Sequence, residues 1–282
     1  MQVIKEIYKQ HFKANSTQIK SLSGGSINQV YLIQNNNKKY VIKVNDKNAF
    51  QGMFEKEAKG LDVLGKSNFK IPAVIVHGEL ENTSYLILEY IEPGRNIDWV
   101  LFGSKLAHLH LNSSVYFGLD HDNYIGSLNQ KNTSKKTWAE FYEQMRIMPL
   151  VQRLFAVSLL DENEVRMAEN LCKKLPDLLP VENPSLIHGD LWSGNLICDR
   201  QGEPVLIDPA IYYGFREMDL AMLNLFGTIP SSAIDAYQDV FPLHKDWQKR
   251  AEINQLYPLL VHLVLFGSSY YNSVLNILRK YS

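Results

Sequence analysis

Between residues 188 and 208 three oxygen-bearing side chains stand at intervals suited to moving a phosphoryl group: Asp190, Asn195 five positions on, and Asp208 closing the apolar run Pro204-Val205-Leu206-Ile207. Transfer of a γ-phosphoryl group to a hydroxyl needs a carboxylate that orients and deprotonates the attacking oxygen, and hard oxygen ligands for magnesium on the phosphates. Asp190 is the candidate base, Asn195 and Asp208 are the candidate metal ligands, and ATP with Mg2+ is the implied cofactor pair. Singly, a His-Gly-Asp turn, an Asn that caps a loop and an Asp at a strand end are common structural features. All three in register point to chemistry.

The interval from Asp190 to Asn195 is that of the protein-kinase catalytic loop H-R-D-x-x-x-x-N, with Gly189 where that pattern has Arg. Asp208 then takes the place of the DFG aspartate. Upstream, Val30–Ile33 and Tyr40–Val44 are β-branched or aromatic runs joined by a polar segment, which predicts adjacent antiparallel strands. Before them, in SLSGGSIN, Gly24 and Gly25, with Ser26 beside them, allow backbone amides to approach phosphate oxygens, although a plain hairpin turn has the same composition. Lys43 ends Val41-Ile42-Lys43 as the phosphate-contacting lysine ends V-A-I-K, against the alternative of a solvent-facing strand lysine.

Phe54, Ala58, Leu61 and Leu64 recur at helical spacing, and either Glu55 or Glu57 on that helix is placed to pair with Lys43. Val74–Val76 and Tyr85–Leu88 extend a small sheet, and the second run leads through Glu89, Tyr90 and Ile91 into Pro93-Gly94. That change of direction predicts a hinge, whose main chain could bind an adenine edge. From about residue 97 the pattern is mostly helical, with short strands expected only around 186 to 208, and the Asn and Lys content of 129 to 136 predicts a surface loop. His108 and His110, two apart on a helix, point to different faces and predict packing or hydrogen bonding rather than a metal site.

The reading is therefore an α+β bilobal protein-kinase-like fold: a small antiparallel-sheet N-lobe with one main helix, residues 1–91, and a larger, mostly helical C-lobe, residues 92–282. A length of 282 residues accommodates two cores. With 29 basic against 30 acidic residues, net charge −1, no basic field favours nucleic acid. Cys172 and Cys198 form neither a disulfide framework nor a metal pair, which predicts a cytoplasmic setting. The N-terminal MQVIKEIYKQHFK lacks the apolar core of a signal peptide, and LYPLLVHLVLFGSSYY is too short and interrupted to span a membrane, so a buried helix is expected.

The chain resembles the fructosamine kinase (ketosamine-3-kinase) family, related to aminoglycoside phosphotransferases and choline kinases, nearly end to end. The resemblance rests on HGDLWSGN with Trp192, on IDPAIYYGFREMDLAM, on FEKEAKGL with Glu57, on LAHLH with His110, and on FGLDHDNYIGSLNQKN running to TWAEFYEQMR, which carry Gln130, Asn132 and Arg146. It implies ATP-dependent phosphorylation of the sugar 3-hydroxyl of a small-molecule or protein-bound ketosamine, which promotes deglycation. It favours Glu57 as the partner of Lys43 and lays Trp192 against the sugar, with core packing as the alternative role. Arg216, Glu217 and Asp219 either shape the pocket or brace the loop as an ion-pair network. Ser26 stands where some relatives have a redox-sensitive Cys. The competing readings are a related kinase of aminoglycosides or choline, and an ATP-binding module without turnover; a monomer is favoured.

Overall fold

The computed structural model describes residues 1–13, 18–22, 27–35 and 38–282, in two compact units: Met1–Asp98 with Leu196–Asp208, and Trp99–Asn195 with Pro209–Ser282. Gly24, Gly25 and Ser26 lie outside the described residues. In the first unit a five-stranded antiparallel sheet is ordered β1-β2-β3-β5-β4, from β1 (Gln18–Leu22), β2 (Gln29–Asn35), β3 (Lys38–Asp46), β4 (Val74–Leu80) and β5 (Thr83–Glu89). Two helices accompany it, α1 (Gln2–Phe12) and α2 (Met53–Leu64).

Alternation along β3 sends its side chains to opposite sides of the sheet. Ile42 and Val44 join Ile4, Ile7 and Tyr8 of α1, with Tyr85 and Ile87, in one buried cluster. Val41 packs instead with Phe54, Ala58 and Leu61 of α2, with Leu86 and Leu88. Lys43 shares the parity of Val41, so the sheet delivers its ammonium to the α2 side. The hairpin of β9 (Leu196–Cys198) and β10 (Pro204–Leu206) belongs to the same unit: Leu206 N–H donates to the Lys70 carbonyl, and Lys70 Nζ lies 2.8 Å from Asp199 Oδ2.

The second unit is mainly helical: α3 (Trp99–His110), α4 (Trp138–Phe141), a π-helical turn over Tyr142–Ile147, α5 (Met148–Ala156), α6 (Glu162–Leu178), α7 (Glu217–Leu223), α8 (Ser231–Val240), α9 (Ala251–Phe266) and α10 (Tyr271–Tyr281). Asp161 starts α6 with a full capping box through Glu164, which satisfies two otherwise orphaned N–H groups. Phe141, Tyr142, Leu171, Leu260, Leu263 and Leu278 are among the side chains of one continuous core. The apolar stretch expected as a buried helix lies largely in α9, and no helix among the described residues is long and apolar enough to cross a membrane.

Two expectations are corrected here. Strands are not confined to 186 to 208: β6 (Asn123–Ile125) pairs with β7 (Leu128–Gln130), and β8 (Ser185–Ile187) pairs with β11 (Tyr212–Gly214). These elements are three residues long, too short to show a period, and the first hairpin turns on Gly126 at φ 57°. Nor is 129 to 136 wholly a surface loop. Gln130 and Asn132 are buried because their amides find partners inside: Gln130 Nε2 and Asn132 Nδ2 both donate to Asn123 Oδ1, and Arg146 donates to Asn132 Oδ1 at 2.7 Å.

Candidate functional site

In the first unit, Lys43 Nζ stands 2.6 Å from Glu57 Oε1 and 2.6 Å from Asp208 Oδ1. Glu55, the other candidate, turns outward and pairs with Lys59 instead. Burial acts to lower the Lys43 pKa, but attraction to Asp208 and Glu57 outweighs it and holds the ammonium above its ordinary range. Lys43 therefore remains a cation. Asp208 sits at φ 54°, a conformation that costs a non-glycine residue and persists where its surroundings enforce it. Its side chain is 41 % exposed, so the carboxylate can take a further ligand while it holds Lys43.

At the end of the sheet, Glu89 N–H donates to the Ala73 carbonyl at 2.9 Å, and Lys39 Nζ lies 5.5 Å from the Tyr90 ring centroid and bonds Glu92. Ala73 N–H donates back to Glu89 Oε2 at 3.2 Å, and Ile91 is buried.

The loop from His188 to Asn195 lies in the second unit. It is tied to itself: Asn195 Nδ2 donates to the Asp190 carbonyl at 2.9 Å and to Asp190 Oδ2 at 3.0 Å, and Asn195 N–H donates to the Trp192 carbonyl at 2.9 Å. Nδ2 is thereby turned to Asp190, which makes Oδ1 the Asn195 atom suited to a hard cation. Gly189 lies at φ 81°, and a Cβ there would come within 2.2 Å of the Ala210 carbonyl oxygen. The position that is Arg in the protein-kinase pattern has no room for a side chain here. At Gly194 the neighbour is a side chain: a Cβ there would meet the Trp192 indole at 2.3 Å, so the ring would have to shift. Trp192 folds back over the loop on Gly194, partly exposed rather than sealed in the core.

The residues that hold this loop were only half visible in the sequence. Asp219 accepts from His188 N–H at 2.7 Å and Gly189 N–H at 3.0 Å, and its Oδ2 lies 3.2 Å from His110 Nε2. His110 Nδ1 in turn lies 2.8 Å from the Tyr237 hydroxyl, so His110 fills the hydrogen-bonding role expected of it. Arg216 pairs with Glu182 at 2.6 Å and Arg250 with Glu217 at 2.5 Å. Asp219 therefore braces the loop directly, while Arg216 and Glu217 are committed to their own partners. Arg146 was visible only as part of the resemblance. Fully buried, it stacks 4.0 Å from the Tyr212 ring centroid and donates to the Lys131 carbonyl and to Asn132. Gln130 links this network to the Ala210 carbonyl, next to the Asp208-Pro209 corner in sequence.

Asp208 in the first unit and Asn195 in the second each carry a hard oxygen of the type magnesium takes, and that ion keeps water and phosphate oxygens in its own shell. Among the described residues no group of three or more His, Cys, Asp or Glu is placed to hold a metal by itself. Oxygen donors of this kind fit a cation that arrives with a nucleotide.

The fructosamine kinase family model matches residues 1–282. The "Probable ketoamine kinase" of Enterococcus faecium is 40% identical over 92% of this chain and 93% of its own, and the chloroplastic "Protein-ribulosamine 3-kinase" of Arabidopsis thaliana is 35% identical over 94% and 82%. A solved fructosamine-3-kinase candidate from Thermobifida fusca superposes with a TM-score of 0.88 at 33% identity, over 99% of this chain and 98% of that one. Choline kinase LicA of Streptococcus pneumoniae, at 18% identity and a TM-score of 0.66 over 99% of both chains, shares the fold.

Proposed function

The chain belongs to the fructosamine kinase family, which makes it a phosphotransferase, and from that premise we propose that it moves the γ-phosphoryl group of ATP onto the 3-hydroxyl of a ketosamine. The phosphorylated adduct then decomposes and frees the amine, so the activity is deglycating. The observation that supports this most directly is the buried Lys43 cation between Glu57 and Asp208, a positive charge fixed on one face of the central strand β3 for phosphate oxygens.

In this reading Asp190 takes the proton of the 3-hydroxyl as that oxygen bonds to the γ-phosphorus. The bond from phosphorus to the β–γ bridging oxygen breaks, and ADP leaves with its electron pair. Asn195 fixes the Asp190 carboxylate through Nδ2, and the Asp219 carboxylate fixes the loop's main chain behind it. Lys43 neutralises the α and β phosphates, Gly24, Gly25 and Ser26 are the further phosphate contacts we propose, and Glu89, Tyr90 and Ile91 carry the adenine. Trp192 gives the sugar carbons a flat apolar face. Magnesium, when bound with the nucleotide on Asp208 and Asn195, supplies charge neutralisation for the phosphate oxygens. We place this activity in a reducing, cytoplasmic setting, in a monomer; both thiols are buried and unpaired, and burial pushes Cys172 up to about 12.

The test is ADP release by the purified protein with magnesium and ATP, comparing ribulosyl-, erythrulosyl- and fructosyl-lysine with choline, kanamycin and no acceptor. Selective turnover of the ketosamines, with phosphate located on the sugar C3 oxygen by NMR, is expected. Turnover confined to choline or kanamycin would move the substrate, and nucleotide binding without turnover would make the chain a binding module. Asp190→Ala is expected to keep the fold and nucleotide binding while kcat falls by roughly 10² to 10⁴, the worth of a positioned proton acceptor. Near-normal turnover would remove Asp190 from that role.

A further inference from the structure

Beyond Trp192 a run of aromatic rings continues away from the catalytic loop. Trp192 meets Phe226 edge to face at 6.2 Å and 77°, Phe226 meets His262 at 4.9 Å and Tyr270 at 6.5 Å and 86°, and His262 lies 5.0 Å from Tyr270 and 5.4 Å from Phe266. The rings come from three separate stretches: the loop of Asp190, the exit of α7, and the end of α9 with the turn after it. Leu225, Val264 and Leu265, their sequence neighbours, pack against the C-terminal core. Tyr270 packs against it too, whereas Phe226 and Phe266 stand 38% and 48% exposed. Convergence of partly exposed rings from three segments is costly to maintain for packing alone and suits a bound apolar group.

We propose that Trp192, Phe226, His262, Phe266 and Tyr270 form a subsite for the amine substituent of the ketosamine, selecting adducts of aromatic or long alkyl amines over those of small polar amines. The inference rests on the ketosamine reading above. In such a substrate the amine is carried on C1, two carbons from the reacting C3 hydroxyl, so a sugar lying on Trp192 places its nitrogen and substituent beside the next rings. The secondary amine is protonated at neutral pH, and ring faces attract such a cation. His262 contributes a second way. Its Nδ1 lies 2.7 Å from the Pro258 carbonyl, which can only accept, so Nδ1 carries the hydrogen and Nε2 is the ring's acceptor. Burial lowers the His262 pKa and keeps the ring neutral, able to accept an N–H rather than repel the amine.

The test compares kcat and KM for three adducts of one ketosugar, made with benzylamine, the lysine ε-amine and glycine, in the intact protein and in Phe226→Ala, Phe226→Leu and Phe266→Ala. The intact protein should favour the benzylamine adduct over the glycine adduct. Each Ala variant should lose about 5- to 10-fold in kcat/KM for the benzylamine adduct, the size of one or two aromatic contacts, carried by KM. Phe226→Leu, apolar but not aromatic, should lose less. Equal losses for all three adducts, or none, would overturn the subsite, as would concentration-dependent self-association that Phe226→Ala abolishes in sedimentation, which would assign the rings to a second copy of the chain. If the intact protein turned over no ketosamine at all, the parent reading would fail as well; turnover indifferent to the amine would sink the subsite alone.

Discussion

Lys43 gains from two carboxylates what it loses by leaving water, and the balance tells structure and function apart. Removing the ammonium strands Glu57 in a buried place, and truncating one side of a buried pair costs about 3–5 kcal/mol. Asp208 is far more solvated, so for Lys43→Met we expect about 2–4 kcal/mol in urea unfolding, together with a raised KM for ATP. Lys43→Met with Glu57→Leu should return most of that stability and none of the activity. Turnover restored in the double variant would take the phosphates away from Lys43. Gly189 makes a complementary case. The Ala210 carbonyl oxygen lies 2.2 Å from where its Cβ would be, at a positive φ, so Gly189→Ala should displace the loop, costing about 2–4 kcal/mol and depressing kcat more than KM. Gly189→Arg, which restores the protein-kinase letter, should be worse still; an active Arg variant would show that the loop has another packing. Lys43 and its two carboxylates, Glu57 and Asp208, were legible because chemistry restricts their identity. Gln130, Asn132 and Arg146 were legible only through the resemblance, since composition cannot distinguish a polar side chain that faces water from one whose partners are buried with it.

At the scale of elements, periodicity carried as far as the elements were long. The 12-residue α2 shows its buried side in the sequence because several turns repeat it, and the seven- and nine-residue strands β2 and β3 show as apolar runs long enough to read. The three-residue strands β6 to β11 do not, and exist because the backbone around them supplies partners. Helix contacts were also hidden. Gly103 of α3 would place a Cβ 2.0 Å from the Ala233 carbonyl oxygen of α8, so the two helices approach backbone to backbone at that point. In the sequence Gly103 reads only as a weak spot in a helix. Gly103→Ala should therefore destabilise the protein by about 1–3 kcal/mol through overpacking, against the gain of a few tenths to 1 kcal/mol expected from propensity alone. A higher urea midpoint for Gly103→Ala would mean that the α3–α8 contact yields easily.

The whole chain was expected to divide once, at residue 91 or 92, because a linear reading follows composition along the chain and cannot see which distant segment packs where. The first compact unit is instead discontinuous: Met1–Asp98 includes the hairpin of Leu196–Asp208, nearly one hundred residues further on. The hairpin is bound in at several points. Gly94 N–H donates to the Cys198 carbonyl at 2.8 Å, Asp98 N–H to the Gly202 carbonyl at 2.9 Å, and Lys70 pairs with Asp199. A Cβ on Gly94 would fall 1.9 Å from the Asp199 carbonyl oxygen, so the backbones touch without a side chain between them. Asp208, the second anion of Lys43, comes with the same segment. A fragment of residues 1–98 lacks all of this: it leaves the N–H groups of Gly94 and Asp98 without their acceptors and Lys43 with one carboxylate, in a chain short enough for each loss to count. That fragment should be unfolded or molten by near-UV circular dichroism and proton NMR dispersion. Joining Leu196–Asp208 to Asp98 through a flexible linker of about six residues, which spans about 14 Å, should restore a cooperative urea transition. If the 1–98 fragment alone unfolds as cooperatively as the joined one, the hairpin is an attachment to an independent domain; if neither folds, the first unit depends on more of the chain than these 13 residues.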